Sequence, residues 1–243
     1  MKVCSLTDIG VRREMNQDYF FSSEEPVGAL PNLFIVADGM GGHNGGEIAS
    51  KNVVETMCAV AQKTRKIKIA NILTECVEKA NKDLRAYADE HTEMKGMGTT
   101  TVAAVISDHT LFAANVGDSR MYVVGEEIRQ ITSDHSLVQE MVRRGEIDEE
   151  LARVHPDKNI ITRAVGASDK IKVDIFEETL AQGELILLCS DGLTNMVEDD
   201  EILQVLHRPK DLESNTEYLV ELANEHGGKD NITVITIDPE FER

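Results

Sequence analysis

Four aspartates stand at the ends of apolar runs, where a buried strand would stop and its last side chains could do chemistry. Asp38 and Asp191 follow two such runs and are each followed by glycine, Asp118 follows a third run, and Asp230 precedes a fourth. An aspartate after a strand is commonly a turn or helix-capping residue, so each position alone carries little weight. The four positions together indicate that carboxylates from separate strands meet.

Carboxylates that meet repel one another unless protons or cations lie among them. Two of them about 5 Å apart at an effective dielectric of about 20 cost roughly 3 kcal/mol. An all-oxygen set without cysteine or histidine suits hard cations, so Mg²⁺ or Mn²⁺ is favoured over zinc. Glycine beside a metal-binding aspartate lets a backbone carbonyl approach the cation. The pattern therefore predicts a divalent metal centre.

A glycine-rich stretch, DGMGGHNGG, begins at Asp38 and contains His43. It lacks the Gly-Lys-Ser/Thr ending of a nucleotide-binding loop, and the sequence has no Rossmann fingerprint. The Asp-x-Asp that a haloacid-dehalogenase-type phosphatase requires after its first strand is also missing. A lone histidine is more often a surface or capping residue. Beside a metal-binding aspartate in a glycine-rich turn, however, His43 is a candidate general acid.

Hydrophobic periodicity predicts the elements that must position these residues. Buried strands are expected at residues 33–37, 100–106, 111–116, 121–124, 185–189 and 232–237, and helices at 47–62, 67–90, 199–206 and 216–226. Strands that come in runs, with helices grouped in two places, favour an α+β fold with antiparallel sheet over a doubly wound parallel fold. Residues 136–160 are charged and broken by Gly145 and Pro156, which indicates a surface excursion with short helices.

Composition narrows the class of protein further. The chain has 243 residues and is 41% hydrophobic, which fits one large folded domain and excludes disorder. A net charge of -19 argues against binding nucleic acid or docking on an anionic membrane. The four cysteines lack disulfide or zinc spacing, and no signal-like or membrane-spanning apolar segment is seen, so we expect a cytoplasmic protein with reduced thiols.

Eight short motifs together resemble the bacterial branch of the metal-dependent protein phosphatases, the protein phosphatase 2C (PPM) family. They are RxxNQD at 13–18, VADGMGGH at 36–43, GTT at 98–100, GDSR at 117–120, TSDHS at 132–136, ITRAVG at 161–166, SDGL at 190–193 and GGKDNIT at 227–233. Any one is weak, but eight in family order and at family spacing span essentially the whole chain. The resemblance implies a four-layer α/β/β/α sandwich, in which two central antiparallel sheets are flanked by helix pairs. It also implies a single domain over 1–243, with a flap subdomain at about 145–170.

The resemblance assigns a role to each aspartate of the predicted metal centre. Asp38 matches the carboxylate that bridges two metals, and the carbonyl of Gly39 matches a ligand of the second metal. Asp191 and Asp230 match the ligands of the first metal. Asp118 matches the residue that, with Asp191, holds a third and weaker metal. The cofactors implied are Mn²⁺ or Mg²⁺, two in the core site and a third beside it.

Other residues match groups that act on the substrate or on water. Arg13 matches the arginine that binds the substrate phosphate, and His43 would protonate the departing serine or threonine oxygen. Asp18 and Asn231 match groups that orient water at the metals. Gln17 stands where the eukaryotic branch has a glutamate, which puts direct metal ligation in doubt at that position.

The activity that the resemblance implies is hydrolysis of phosphoserine and phosphothreonine on proteins by metal-activated water. The enzyme would oppose a bacterial serine/threonine kinase, and its partners would be phosphorylated protein substrates, that kinase among them. No covalent phosphoenzyme is needed. No coiled coil or apolar stripe suggests an oligomer, so a monomer is the default expectation.

Three alternatives stay open at the level of sequence. A pseudophosphatase would bind phosphoproteins without cleaving them, although the intact Asp38, Asp191, Asp230 and Arg13 argue against it. A different metallohydrolase on the same scaffold would act on small phosphate esters. A purely structural protein would leave the set of carboxylates unexplained.

Overall fold

Two antiparallel sheets are built mainly from the apolar runs of the chain, in a computed structural model that describes residues 1–42 and 45–241. The strands in that part of the chain are β1 Lys2–Asp8, β2 Asp18–Ser23, β3 Leu33–Met40, β4 Gly98–Thr99, β5 Thr101–Ser107, β6 Thr110–Val116, β7 Arg120–Val124, β8 Ile128–Gln130, β9 Asp174–Thr179, β10 Leu185–Cys189 and β11 Ile232–Asp238. The helices are α1 Gly45–Lys63, α2 Ile69–Glu90, α3 Leu137–Arg143, α4 Glu149–Val154, α5 Asp191–Thr194, α6 Asp199–Leu206 and α7 Leu212–Glu225.

One sheet has the strand order β1-β11-β10-β7-β8, and the other has the order β2-β3-β5-β6-β9 with β4 paired to β3. The central strands are buried on both faces, since each sheet packs against helices on one side and the other sheet on the other. Along β3, for example, Phe34 and Val36 face the second sheet, whereas Ile35 and Ala37 face helices α1 and α2. Helices α6 and α7 cover the outer face of the five-stranded sheet. The predicted four-layer α+β sandwich is confirmed.

The segment between β8 and β9 contains two short helices, α3 and α4, where short helices are expected in the excursion at 136–160. Ser136 caps α3, because its Oγ accepts a hydrogen bond from the Gln139 N–H at 3.2 Å. Arg153, at the end of α4, donates to the Thr194 carbonyl at 3.2 Å and pairs with Glu198 at 2.8 Å. These contacts dock the excursion on the segment that joins α5 to α6. The flap subdomain at about 145–170 stays a prediction.

No helix within residues 1–42 and 45–241 is both long and apolar enough to cross a bilayer.

Candidate metal centre

The predicted aspartates come together because each lies at the same end of the two sheets. Asp18 begins β2 directly opposite Asp38, near the end of β3, in the antiparallel register. Asp118 lies in the turn from β6 to β7, and Asp191 follows β10 as the first residue of α5. Asp230 lies two residues before β11, which pairs with β10. Antiparallel pairing thus gathers residues that are as many as 212 positions apart, from 18 to 230.

The glycines that follow two of these aspartates are required for close packing between loops. A Cβ on Gly39 would lie 2.0 Å from the Gly46 carbonyl oxygen, and one on Gly192 would lie 1.9 Å from the Asn231 carbonyl oxygen. Any side chain at either position would force neighbouring loops apart. The sequence interpretation attributed these glycines to carbonyl access for a cation, and the structure adds a steric reason that one sequence could not reveal.

Several carboxyl groups of the cluster have raised pKa values, and burial is the first cause for each. The pKa of Asp18 rises to about 7, and the pKa of Asp38 lies well above its ordinary value because of burial and then the charges of other aspartates, Asp18 first. Burial followed by the charge of Asp191 also raises the pKa of Asp118 well above its usual range. For Asp191, burial and the charge of Asp230 raise the pKa, while a hydrogen bond with Asp38 opposes the rise. Like charges therefore share one desolvated site.

Three oxygens of this cluster are buried and have no hydrogen-bond partner within the described part of the chain. They are Oδ1 of Asp18, Oδ1 of Asp118 and Oδ1 of Asp191. Buried polar atoms are normally paired, and an orphaned carboxylate oxygen is costly. Unpaired, desolvated oxygens on mutually repelling carboxylates are the donor set that a hard divalent cation satisfies. The residues present therefore fit Mg²⁺ or Mn²⁺.

Arg13 lies at the mouth of the cluster, where its Nη2 donates to Asp230 Oδ2 at 2.7 Å. Its side chain is 48% exposed, and the hydrogen bond to Asp230 raises the pKa of the guanidinium. Among residues 1–42 and 45–241, no three cysteine, histidine, aspartate or glutamate side chains stand in a preformed ligand shell. Asp230, one of the predicted ligands, is instead paired with Arg13. The carboxylates are thus gathered closely enough to perturb one another without being closed into a cage.

Asp18 and Asn231 are positioned differently from each other. Oδ2 of Asp18 accepts hydrogen bonds from the Ser190 and Thr233 hydroxyls, both at 2.7 Å, and its Oδ1 is left free as described above. The amide of Asn231 binds backbone instead. Its Nδ2 donates to two carbonyls at 2.9 Å each, and its Oδ1 accepts from the Gln17 N–H at 2.8 Å. Asn231 therefore anchors the loop between β1 and β2, which carries Arg13.

His43, the predicted general acid, lies outside the described residues.

Two residues that the sequence interpretation did not assign contact the cluster from the side of α4. Asn195, at the end of α5, donates from Nδ2 to Asp191 Oδ2 at 2.8 Å. Lys158 donates from Nζ to Asn195 Oδ1 at 2.9 Å. One oxygen of Asp191 is thereby held by an amide, while the other is the orphaned Oδ1. Neither residue belongs to a motif with a recognisable chemical pattern, so only the three-dimensional contact identifies them.

A groove of about 870 Å³ runs from Asp118 and Asp191 along α3 and α4. The groove is also lined by a second set of buried charges, centred on Arg120. Its Nε and Nη2 bind both carboxylate oxygens of Asp134 at 2.7–3.0 Å, and its Nη1 donates to the Tyr122 hydroxyl at 3.0 Å. Gln130 adds a further donor to Asp134 at 2.9 Å. The motifs GDSR and TSDHS contain Arg120 and Asp134, but nothing in either motif predicts that the two side chains pair.

The fold and the site together define a class of protein, an α+β sandwich with an oxygen-donor site suited to divalent cations at one end of its sheets. A sequence profile described as protein phosphatase 2C matches residues 11–232. A serine/threonine phosphatase of Listeria innocua, Stp, is 39% identical over 241 residues, which cover 96% of this chain and 93% of that protein. The chain belongs to the protein phosphatase 2C family, as the resemblance indicated.

Solved structures agree with this assignment. The serine/threonine phosphatase Stp1 of Staphylococcus aureus superposes with a TM-score of 0.92 at 38% identity, covering 98% of this chain and 95% of that one. The catalytic domain of the serine/threonine protein phosphatase PstP, solved in complex with two manganese ions, superposes with a TM-score of 0.86 at 31% identity. It covers 98% of this chain and 97% of that one.

Proposed function

We propose that this protein is a metal-dependent serine/threonine protein phosphatase that hydrolyses phosphoserine and phosphothreonine on other proteins. The observation that carries the proposal is the cluster of buried carboxylates with orphaned oxygens and raised pKa values, with Arg13 at its mouth. Membership of the protein phosphatase 2C family and the names of the relatives, which are serine/threonine phosphatases, support the same reaction.

The proposed metal ligands are the residues whose oxygens converge at the sheet ends. Asp38 would bridge two cations, with the Gly39 carbonyl on the second and Asp191 and Asp230 on the first. Asp118 would join Asp191 at a third site, since both present an orphaned Oδ1. When bound, such cations lower the pKa of a water molecule toward neutrality and offset negative charge on phosphoryl oxygens. The two manganese ions in the PstP structure support two cations in the core site.

The protein's own groups then orient the reactants. Arg13 is a planar donor suited to two phosphate oxygens, and its half-exposed side chain is free to turn from Asp230 toward an incoming phosphate. Asp18 keeps one oxygen free to accept a hydrogen bond from the attacking water, while Ser190 and Thr233 hold the other. Asn231 contributes by fixing the loop that carries Arg13. His43 is our proposal for the acid that protonates the departing serine or threonine oxygen.

A cysteine nucleophile is not part of the proposal. Cys189 is buried beneath the site, and burial raises the pKa of its thiol, which disfavours the reactive thiolate. The four cysteines of the chain are free thiols, which fits a reducing compartment. We therefore propose a cytoplasmic enzyme, monomeric by default, whose substrates include proteins phosphorylated by a serine/threonine kinase and that kinase itself.

The test is phosphate release from a phosphothreonine peptide by the purified full chain with Mn²⁺, with Mg²⁺ and with EDTA. We expect release only when a divalent cation is present. A small phosphate ester is assayed in parallel, because a higher kcat/KM for the ester would favour the alternative metallohydrolase.

No release with either metal would contradict the proposed reaction. Calorimetry with Mn²⁺ and binding of the uncleaved phosphopeptide would then separate a pseudophosphatase, which binds the peptide, from a purely structural protein, which does not.

A further inference from the structure

The turn that carries Asp118 is held by a residue that has no role in the mechanism above. Gly117, the preceding residue, has a φ of +112°, and a Cβ there would lie 2.6 Å from the Thr100 side chain. Only glycine fits this position, and glycine by itself leaves a backbone free to move. The direction in which Asp118 points therefore depends on what binds the Gly117 backbone.

His135 binds that backbone at both of its polar groups. The Gly117 N–H donates to His135 Nδ1 at 2.9 Å, and the Gly117 carbonyl accepts from the His135 N–H at 2.9 Å. The histidine side chain is only 2% exposed, and burial lowers its pKa, so the ring is neutral at pH 7. A neutral ring that accepts at Nδ1 carries its hydrogen on Nε2.

A second layer of contacts fixes this tautomer. His135 Nε2 lies 3.1 Å from Asp174 Oδ2, to which it donates. The other oxygen of Asp174 accepts from Arg163 Nη1 at 2.9 Å and pairs with Lys172 at 3.2 Å. Arg163 Nη1 also lies 2.9 Å from His135 Nε2, but both atoms carry hydrogen in this tautomer, so the hydrogen bonds of both run to Asp174. Asp174 thus holds the His135 ring, and the ring holds the backbone of Gly117, the residue before Asp118.

We infer that His135 is a positioning residue for the metal site: through its Nδ1 it holds the Gly117 turn so that the Asp118 carboxylate faces Asp191 and can bind a divalent cation. The inference rests on the proposed function, because it takes Asp118 as a metal ligand. Partners that orient metal ligands commonly change metal affinity by about 10–100-fold when removed.

Two substitutions at His135, which introduce side chains of similar size, distinguish a role of Nδ1 in holding the Gly117 backbone from a role of the ring in core packing. An asparagine at 135 places an amide oxygen close to the position of Nδ1, so His135→Asn keeps an acceptor for the Gly117 N–H. Glutamine reaches the position of Nε2 instead, so His135→Gln keeps the contact with Asp174 and loses that acceptor. Calorimetry with Mn²⁺ on the full chain measures binding, and Asp118→Asn defines the part of the binding that depends on Asp118.

His135→Gln should weaken the part of Mn²⁺ binding that depends on Asp118 by at least about tenfold, and His135→Asn should keep most of it. The double variant His135→Gln/Asp118→Asn should bind as Asp118→Asn does, because both changes act on one site. Wild-type binding by a folded His135→Gln protein, or equal losses in the Asn and Gln variants, overturns the inference and leaves the proposed function intact. A wild-type protein that binds no Mn²⁺ overturns both.

A measurement on the wild-type protein does not depend on whether the variants fold. Nitrogen-15 NMR distinguishes a bare from a protonated ring nitrogen, and we expect bare Nδ1 and protonated Nε2 in His135 at pH 7. A ring protonated at Nδ1 cannot accept the Gly117 N–H, and finding it would overturn the inference.

Discussion

Two groups of buried charges lie side by side in the groove, and they are satisfied in opposite ways. Around Arg120, the carboxylate of Asp134 receives three hydrogen bonds from the guanidinium and another from Gln130. Two residues before Arg120, Asp118 has an orphaned oxygen and a pKa raised by burial and by other aspartates. The chain supplies a buried cation to Asp134, whereas within residues 1–42 and 45–241 no cationic side chain pairs with Asp118 or Asp191. A buried carboxylate without a partner is costly, so the unpaired group indicates a ligand and the paired group indicates structure.

Removing a carboxylate from the unpaired group should have the largest effect on turnover. Asp191→Ala should lower turnover by at least about 10³-fold, since cation stabilisation of the transition state is worth several kcal/mol. In EDTA the same variant should melt at or above the wild-type temperature, because a repulsive carboxylate has gone. Phosphate release and thermal melting measure the two effects.

The matched control for that variant is Asp199→Ala, the same substitution at another residue that lines the groove, whose carboxylate accepts from the Tyr122 hydroxyl at 3.2 Å. It should retain turnover within a few-fold. Near-normal turnover by Asp191→Ala, or an equal loss in both variants, would contradict the assignment of the unpaired group.

Replacing Arg120, the cation of the paired group, should instead lower the stability of the fold. Arg120→Met leaves the buried Asp134 carboxylate without a counter-charge and with only Gln130 as a side-chain donor, which should lower the free energy of unfolding by about 3 kcal/mol. For a chain of this length that is a fall in Tm of roughly 6–12 °C. Arg120→Met/Asp134→Leu should recover part of the loss because no charge is left unpaired. A melting temperature unchanged in Arg120→Met would show that this pair contributes little.

The pH dependence of stability should reveal the unpaired group without any substitution. The pKa of Asp18 is about 7 in the folded protein against 3.8 in the unfolded chain, so the folded state binds more protons between these values. The free energy of unfolding therefore falls as the pH rises, by up to about 1.4 kcal/mol per pH unit for each such group.

His135 has a lowered pKa and acts in the opposite direction below about pH 6.5, so the useful quantity is a difference between two sets of melts. The gap between melting temperatures with Mg²⁺ and with EDTA should widen from pH 5 to pH 7.5. A gap that is constant over this range would contradict a cation site made of these carboxyls.

The smallest effect on metal binding is expected from the removal of a single hydroxyl group. Thr233→Val removes one of the two donors to Asp18 and should lower Mn²⁺ affinity by about tenfold at most. Thr236→Val removes a buried hydroxyl from the same strand, β11, where it pairs with Thr216 away from the site. Both variants should lose about 1 kcal/mol of stability, but only the first should alter metal binding as measured by calorimetry. Equal metal binding in the two would show that Asp18 acts at a distance from the cations.

Much of the fold could be predicted from the sequence because the central strands are continuous apolar runs. The predicted helix at 199–206 matches α6, and the two long helices match α1 and α2 to within two residues at each end. The strands that were not predicted are β1, β2, β4, β8 and β9. Most of them are edge strands with partly exposed, mixed sequences, such as DIFEET in β9, in which no apolar run stands out. The predicted start of the last helix is four residues later than that of α7, since the first turn of α7 begins with Leu212 and is otherwise polar.

The candidate site was predicted unevenly for a related reason. An aspartate after an apolar run is visible in one sequence, so the carboxylates could be named. The residues that hold them could not, because each contact joins distant segments. His135 is 39 positions from Asp174, and Lys158 is 37 positions from Asn195. A single sequence contains no signal for such pairs, and the assigned metal-binding and catalytic roles stay predictions.

The pairing of β1 with β11 has a consequence for how the protein is made. Lys2 lies opposite Asp238, and Asp8 lies opposite Ile232. Strand β1 therefore cannot form its hydrogen bonds with β11 until the ribosome has translated more than 220 further residues. The same late segment supplies Asp230 and the Asn231 amide that ties down the Arg13 loop. A nascent chain arrested before residue 230 contains α1, α2 and the strands of the other sheet, but it lacks Asp230 and Asn231 at the sheet ends. The metal centre should therefore assemble only once residues 230–238 have been translated, rather than gradually during synthesis.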